Sequence, residues 1–405
     1  MNRLNKCIYE KCGYRVKIRK LKFPKHAVLK QIEFEFLSEN AETLDLVILA
    51  GVNGSGKTQL LEAIYDHFAK IPLGQSSGEI EFEWTKEEKE CVENYKNNVN
   101  TFFKQLINYQ SYINQENTSI HIKTLKVLPK IIYLPLEVNF TIQNSAKDSY
   151  KYHYTFLNRI DSKFSGDVAS FLATKVKLTQ KENENLTYGQ AKDAVAKEVN
   201  EIFEVLGLDI EMIGFTKDER DIPLFKNSSN SEFEMNSLSS GEKQLFLRAL
   251  ALKMVDPENA IILIDEPENS LHPKWQQKIV KVYQKLTNNC QLIIATHSPH
   301  ILGSVNNESV RIMSMGKDGV EFKKFSDYTQ GQSVKMILEN VMKIESDIAP
   351  DIFEKFQELR GLLRKGDINT EYFNRRYLEL RDLVGPLHED IILFDIELQR
   401  QRKRS

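Results

Sequence analysis

Residues 51–58, Gly51-Val52-Asn53-Gly54-Ser55-Gly56-Lys57-Thr58, spell G-x-x-x-x-G-K-T. Gly51, Gly54 and Gly56 let the backbone take left-handed conformations and come close to a phosphate. Their N–H groups then face inward as an anion nest. A helical pattern follows at once, and the unpaired N–H groups and positive dipole end of a helix add to the attraction. The turn implies a nucleotide site. Asn53, Gly54, Ser55, Gly56, Lys57 and Thr58 would surround the phosphates, with Lys57 reaching the β- and γ-groups and Thr58 offering its hydroxyl to Mg²⁺. Ile261-Ile262-Leu263-Ile264-Asp265-Glu266 is an apolar run ending in two carboxylates. A carboxylate at a strand's C-terminal end stands where open α/β sheets hold ligands. Asp265 suits the Mg²⁺ shell, and Glu266 suits general-base work on a water. Leu238-Ser239-Ser240-Gly241-Glu242-Lys243-Gln244 opens another helix with small and hydroxyl residues. That makes a second anion-binding end. The first loop already satisfies one set of phosphates, so Ser239, Ser240, Gly241 and Glu242 would serve the nucleotide of another subunit.

These groups need elements to hold them. Leu44–Ala50 is a nearly continuous apolar run, as expected of a central parallel strand buried on both faces. Thr58–Ala69 follows with Leu60, Leu61, Ile64 and Phe68 at helical spacing. Tyr14–Phe23, Gln31–Phe36 and Gly78–Trp84 read as strands, the second alternating Ile32, Phe34 and Phe36 with Glu33 and Glu35. Lys86–Gln115 reads as an inserted helical segment, with Val92, Tyr95, Val99, Phe102, Phe103 and Leu106 on one stripe. Lys130–Leu134 is a second buried strand. Asp161–Leu206 is mainly helical around a polar loop at Thr179–Thr187, and Ala191, Val195, Val199, Ile202, Phe203 and Leu206 recur at three and four. Asp209–Phe225 carries one or two strands and Lys226–Phe233 a flexible loop. Helix Ser240–Val255, strand Ala260–Ile264, helix Pro273–Thr287 and strand Gln291–Ala295 alternate, which implies a parallel sheet. Val310–Met315 and Val320–Lys324 form a hairpin across Gly316–Gly319. From Ser333 onward the pattern is helical, ending in a basic tail.

The chain has 405 residues, which suggests two to three domains. It is 41% hydrophobic and 28% charged, ordinary globular usage that excludes a fibrous or wholly disordered chain. Lys+Arg 55 against Asp+Glu 57 leaves a net charge of -2, so a generic coat for nucleic acid is not favoured. No run of about 18 apolar residues exists, no membrane association is expected, and the N-terminus lacks a signal-peptide core. Four cysteines imply free thiols in a reducing cytoplasm. Cys7 and Cys12 have C-x4-C spacing without a second pair to complete a zinc site. Among the basic residues, Arg400–Arg404 reads as a solvated tail. Strand alternation puts Lys17 and Arg19 on one face and Lys20 and Lys22 on the other.

Taken together, these motifs resemble the ATP-binding cassette (ABC) superfamily. LSSGEKQ (238–244) resembles its LSGGQ signature, with Ser240 in place of the first Gly. Asp265-Glu266-Pro267-Glu268-Asn269-Ser270-Leu271-His272-Pro273 resembles its Walker B and D-loop. Ala295-Thr296-His297-Ser298-Pro299 resembles its switch-histidine loop. The motifs keep the family's order over about 250 residues, from Gly51 to Pro299, and flanking strands carry the resemblance to about 330. The resemblance implies an α/β P-loop NTPase of the ABC ATPase type: a mixed sheet with a helical insertion and an all-helical C-terminal extension. It implies an N-terminal ATPase lobe at 1–85, a helical insertion at 86–206 that includes the strand near 130–134, a second ATPase lobe at 207–330 and the extension at 331–405. It also implies ATP and Mg²⁺, and a homodimer or higher homo-oligomer that sandwiches ATP between Gly51–Thr58 of one subunit and Ser239–Gly241 of the other. Glu266 would activate water and His297 would sense the γ-phosphate. The family's Q-loop glutamine has no clear match; Glu137 is the candidate Mg²⁺-coupling residue there, with Gln143 further on. Phe23, Phe34 and Phe36 are the candidates for stacking on adenine.

EPENSLHP (266–273) resembles the soluble RecF, SMC and OLD-type branch rather than transporter subunits. The insertion is too short for the long coiled coils of chromosome-organising members, and no segment offers a Toprim nuclease. Gly331-Gln332-Ser333, Ile337-Leu338 and Arg364-Lys365-Gly366-Asp367 resemble the tails of stand-alone ATPases of bacterial anti-phage defence: Septu PtuA-like, retron-associated and PARIS AriA-like. That resemblance implies an ATPase switch working beside a separately encoded effector, a nuclease or toxin. The alternative is a DNA repair or recombination ATPase that clamps DNA, with nucleic acid as the partner.

Overall fold

The computed structural model describes residues 16–75, 78–84, 99–113, 128–136, 154–160, 168–218, 222–317, 319–326, 328–342 and 348–402. Cys7, Cys12, Val92, Tyr95, Glu137 and Gln143 lie outside them. The chain divides into two compact units, Met1–Val334 and Lys335–Ser405. In chain order the elements of the first are β1 (Lys17–His26), β2 (Lys30–Glu35), β3 (Leu46–Ala50), α1 (Lys57–Lys70), β4 (Glu79–Glu83), α2 (Val99–Ile113), β5 (Lys130–Leu134), β6 (Leu157–Arg159), α3 (Val168–Glu182), α4 (Tyr188–Leu206), β7 (Ile210–Phe215), β8 (Pro223–Asn227), β9 (Glu232–Glu234), α5 (Ser240–Met254), β10 (Ala260–Asp265), α6 (Pro273–Leu286), β11 (Gln291–Thr296), α7 (Pro299–Leu302), β12 (Val310–Met315) and β13 (Val320–Lys324). Helix α8 (Val334–Asn340) begins at the division, and α9 (Pro350–Lys365), α10 (Glu371–Val384) and α11 (Glu389–Arg402) belong to the second.

The main sheet runs β13-β12-β3-β11-β10-β5-β6. Its pairings are parallel except for the β12–β13 hairpin. Every residue of β5, β10 and β11 is buried, which is why these strands read as unbroken apolar runs. The register brings three strand ends level: Asp265 pairs with Ala295 across β10 and β11, and Thr296 pairs with Ala50 across β11 and β3. The three segments that leave these ends therefore emerge side by side. A phosphate loop joining a central parallel strand to α1, with a carboxylate-tipped strand two places along the sheet, makes this an α/β P-loop NTPase fold with a mixed sheet.

A separate antiparallel sheet, β2-β1-β4, covers one side. Gln291 ties it to the main sheet: its fully buried amide accepts from the Ile18 N–H at 2.8 Å and donates to the carbonyls of Ile18 at 2.9 Å and Leu44 at 3.0 Å. A register shift between Ile18 and Lys20 breaks the simple alternation expected along β1. Lys20 and Lys22 do share the exposed face opposite Leu21 and Phe23, but the cations are not free. Lys17 pairs with Asp45, Arg19 with Glu81, Lys20 with Glu33 and Glu35, and Lys22 with Glu33.

The described part of the expected inserted segment, helix α2, packs into the first core. Phe102, Phe103 and Leu106 share one core with Phe68, Phe82 and Phe156. The Phe103 ring lies 5.4, 5.3 and 5.2 Å from those of Phe68, Phe82 and Phe156. A second core joins α3, α4, α5 and the antiparallel sheet β7-β8-β9. There the stripe from Ala191 to Leu206 is buried as its spacing demands. Two loops are shorter than expected. Helix α3 continues to Glu182, and Lys226–Phe233 contains a hairpin turn rather than a flexible loop. Asn227 Oδ1 accepts from the N–H groups of Ser229 and Ser231, and Asn230 takes φ 57°, so the polar residues are the turn that brings β9 onto β8.

The second unit has its own core, in which the rings of Phe373, Tyr377 and Phe394 stack. The Arg364–Asp367 run ends α9. Gly366 takes φ 81°, and the Gly366 and Asp367 N–H groups close on the carbonyls of Leu363 and Leu362.

Candidate active site

The phosphate loop leaves β3 and opens α1, with Gly56 at φ 93° as the helix N-cap. Gly54, at φ 81°, is also left-handed. Gly51 is not, and its reason is space: a methyl group there would stand 2.5 Å from the Met313 carbonyl. Val52, Asn53 and Gly54 are exposed, while Ser55, Gly56 and Lys57 are buried. The Lys57 ammonium donates to the carbonyls of Gly51 at 2.8 Å and Val52 at 3.2 Å, so it is already held inside the loop. Burial pulls its pKa below the usual lysine value, and the charges of Glu266, Asp265 and Glu268 oppose that shift. A methyl group at Gly56 would stand 2.9 Å from Leu29, in the β1–β2 turn, and 3.2 Å from Val320, in the β12–β13 hairpin.

Asp265 ends β10 beside this loop. Thr58 Oγ1 donates to its Oδ1 at 3.0 Å, while Oδ2 is buried without a hydrogen-bond partner. Burial raises this carboxyl to about 6; Glu266 and Glu62 push the same way, and Thr58 and Lys57 oppose them. Glu266 follows at φ 42°, a left-handed conformation that is strained for a residue with a side chain. Its N–H donates to the Ala295 carbonyl at 2.9 Å, which pins the bend. His297 comes from the neighbouring strand end. Its Nδ1 stands 3.0 Å from Glu266 Oε1, and its side chain is 44% exposed, within reach of a ligand.

A third carboxylate, which sequence reasoning did not single out, completes the group. Glu268 is buried, and its Oε1 accepts from Thr296 Oγ1 at 2.5 Å and from the His297 N–H at 2.8 Å. The signal was a third acid within four residues of Asp265, on the turn following Glu266.

Ser239 caps α5 in a capping box: Glu242 accepts from the Ser239 N–H at 3.0 Å and from its hydroxyl at 2.6 Å. Gly241 packs where a methyl group would meet the Ser270 carbonyl at 3.0 Å and the Trp275 ring at 3.2 Å. The signature turn is thus fitted onto the loop after β10, and its two capping side chains hold each other. Further along α5, buried Arg248 donates to the carbonyls of Pro135 at 3.3 Å and Leu136 at 2.5 Å, fastening the segment that leads to Glu137. The adenine expectation is corrected. Phe23, Phe34 and Phe36 are all buried in the core, with Phe34 packed on Phe36 and Phe322. None presents a face to a ligand.

The residues fit a triphosphate with Mg²⁺. Three carboxylates face one buried lysine, an excess of negative charge that a divalent cation offsets. Thr58 and the unpartnered Asp265 Oδ2 are hard oxygen donors of the kind Mg²⁺ takes. Ser55 Oγ, buried in the loop without a partner, is a further donor.

Residues 142–303 match a family described as "AAA domain, putative AbiEii toxin, Type IV TA system". The chain is 24% identical to the Septu protein PtuA of Bacillus thuringiensis over 366 residues, 84% of this chain and 89% of that one. It is 26% identical to the "Retron Ec83 probable ATPase" of Escherichia coli over 192 residues, 44% of this chain and 35% of the relative. Among solved structures, the Smc head bound to the C-winged helix domain of ScpA aligns with a TM-score of 0.43 and 12% identity, over 76% of this chain and 97% of that chain. The chain is an ATPase similar to the Septu and retron proteins.

Proposed function

We propose that this ATPase is the switch subunit of an anti-phage defence complex, closing on a second copy around Mg·ATP and controlling a separately encoded nuclease or toxin. The likeness to Septu and retron proteins supports the defence setting, and the juxtaposition of Lys57, Asp265, Glu266 and His297 beyond the ends of the central strands β3, β10 and β11 supports the ATP-driven part. In this reading the segments 1–85 and 207–330 supply the two halves of the site and 331–405 a surface for assembly, in the cytoplasm. The ion pairs along β1 lend no support to a DNA clamp.

Thr58 and Asp265 would hold Mg²⁺, which when bound offsets phosphate charge during transfer. Lys57 and the loop N–H groups orient the β- and γ-phosphates. Glu266, aimed by its strained backbone, takes the proton of the attacking water, and His297 contacts the γ-phosphate from the adjacent strand. Ser239, Ser240 and Gly241 complete the site of the partner copy.

The test is the Glu266→Gln protein with Mg·ATP. Hydrolysis should fall by about 10²–10⁴, the span of a lost general base. By light scattering its mass should rise to a multiple of the nucleotide-free value, and a stoichiometric effector should co-purify from the native host. Hydrolysis at the native rate removes Glu266 as the base. An unchanged mass with ATP bound removes the sandwich. Nucleic acid released by salt in place of a protein favours the clamp.

A further inference from the structure

Glu268 has no place in the scheme above, yet it is a carboxylate only 4% exposed. Its Oε1 gathers three groups of the neighbouring loop: Thr296 Oγ1 at 2.5 Å, the His297 N–H at 2.8 Å and, more distantly, His297 Nδ1 at 3.6 Å. Thr296 Oγ1 in turn accepts from the Ser298 N–H at 2.9 Å, so one oxygen organises the whole turn that carries the histidine. Glu268 Oε2 is buried with no hydrogen-bond partner. Half-satisfied buried carboxylates are costly, so a purely structural tie would be better served by a neutral acceptor. The His297 ring stands between this carboxylate and that of Glu266, with Nδ1 at 3.6 and 3.0 Å from them.

We propose that Glu268 is a positioning residue for hydrolysis, acting through His297. It anchors the histidine's backbone and offers the ring a second acceptor. His297 Nδ1 has no hydrogen-bond partner among the described residues, so a small turn of the ring seats an Nδ1–H on Glu268, which leaves Glu266 for the attacking water and directs Nε2 toward the γ-phosphate. Asn269 and Ser270, which follow Glu268 in the chain, are exposed, so displacement of that turn would reach the His297 loop through Glu268. This proposal rests on the roles given above to Glu266 and His297.

The test is a double-mutant cycle of Glu268→Gln with His297→Ala. Gln keeps the size of Glu and the Oε1 acceptor for Thr296 and the His297 N–H, but removes the negative charge that draws the imidazole. Glu268→Gln should lower kcat about 10-fold or more, as for other groups that orient a reacting side chain. KM and the melting temperature should stay near native, and the change should cost nothing further in the His297→Ala background. A native rate for Glu268→Gln, or losses that multiply in the double variant, overturns the proposal. A fall in Tm that accompanies the fall in kcat also overturns it, since it marks a merely structural tie. A native rate for His297→Ala overturns the role of His297 itself, and with it this proposal.

Discussion

At the residue scale, the site is a balance of charge in a buried setting. Lys57 is the one cation placed inside the phosphate loop, so Lys57→Ala should abolish tight ATP binding in a nucleotide titration while leaving the fold intact. Asp265 gives a pH dependence with a definite sign. Its folded value of about 6 lies above its ordinary 3.8. Between those values the folded chain keeps a proton that the unfolded chain has released, so stability from this group falls as pH rises through that window and is constant above it. Mg²⁺ needs the carboxylate form. The apparent Mg²⁺ affinity of the nucleotide-free protein should therefore fall as pH drops through about 6. A Mg²⁺ titration at several pH values checks this, and a flat profile would remove Asp265 from the metal shell. The glycines, lysine and paired acids were legible because phosphate chemistry dictates those types at that spacing. Glu268 was not, because its partners come from a strand end that only the folded register brings alongside. Phe23, Phe34 and Phe36 misled for the same reason: their burial is decided by the sheet they cover.

At the element scale, burial on both faces made β3, β5, β10 and β11 readable, since it leaves no polar residue to interrupt the run. The β8–β9 hairpin was hidden by its own turn, whose asparagine and serines look like a loop and leave only Glu232–Glu234 for the strand. Helix α2 was readable as a helix but not as part of the first core, because a stripe of aromatics does not say what it will meet. Phe103 meets Phe68, Phe82 and Phe156. Phe103→Ala should therefore destabilise the chain by about 3–5 kcal/mol in a denaturant titration, the usual cost of emptying a core aromatic site. A cost below about 1 kcal/mol would mean that the Phe103 ring adds little to this core.

At the scale of the whole molecule, Gln291 ties the β2-β1-β4 sheet to the main sheet. Gln291→Leu removes three hydrogen bonds and leaves the Ile18 N–H and the Ile18 and Leu44 carbonyls buried without this partner. Each orphaned group costs about 1–3 kcal/mol, so for the three a loss of at least about 3 kcal/mol is expected, read as a lower denaturant midpoint with an unchanged slope. What remained illegible at this scale was strand order, since alternation of strand and helix implies a parallel sheet without saying which strands are neighbours. Here β11 lies between β3 and β10, although β3 and β10 are separated from each other by over 200 residues of chain. That order has a consequence for biogenesis. A ribosome delivers the phosphate loop early and the carboxylates much later, but the slot between their strands stays open until residues 291–296 emerge. A nascent chain short of that point carries two unpaired apolar edges and needs shelter from aggregation. It also cannot gather its phosphate loop, acids and histidine, so the site stays silent until the segment through His297 has been made.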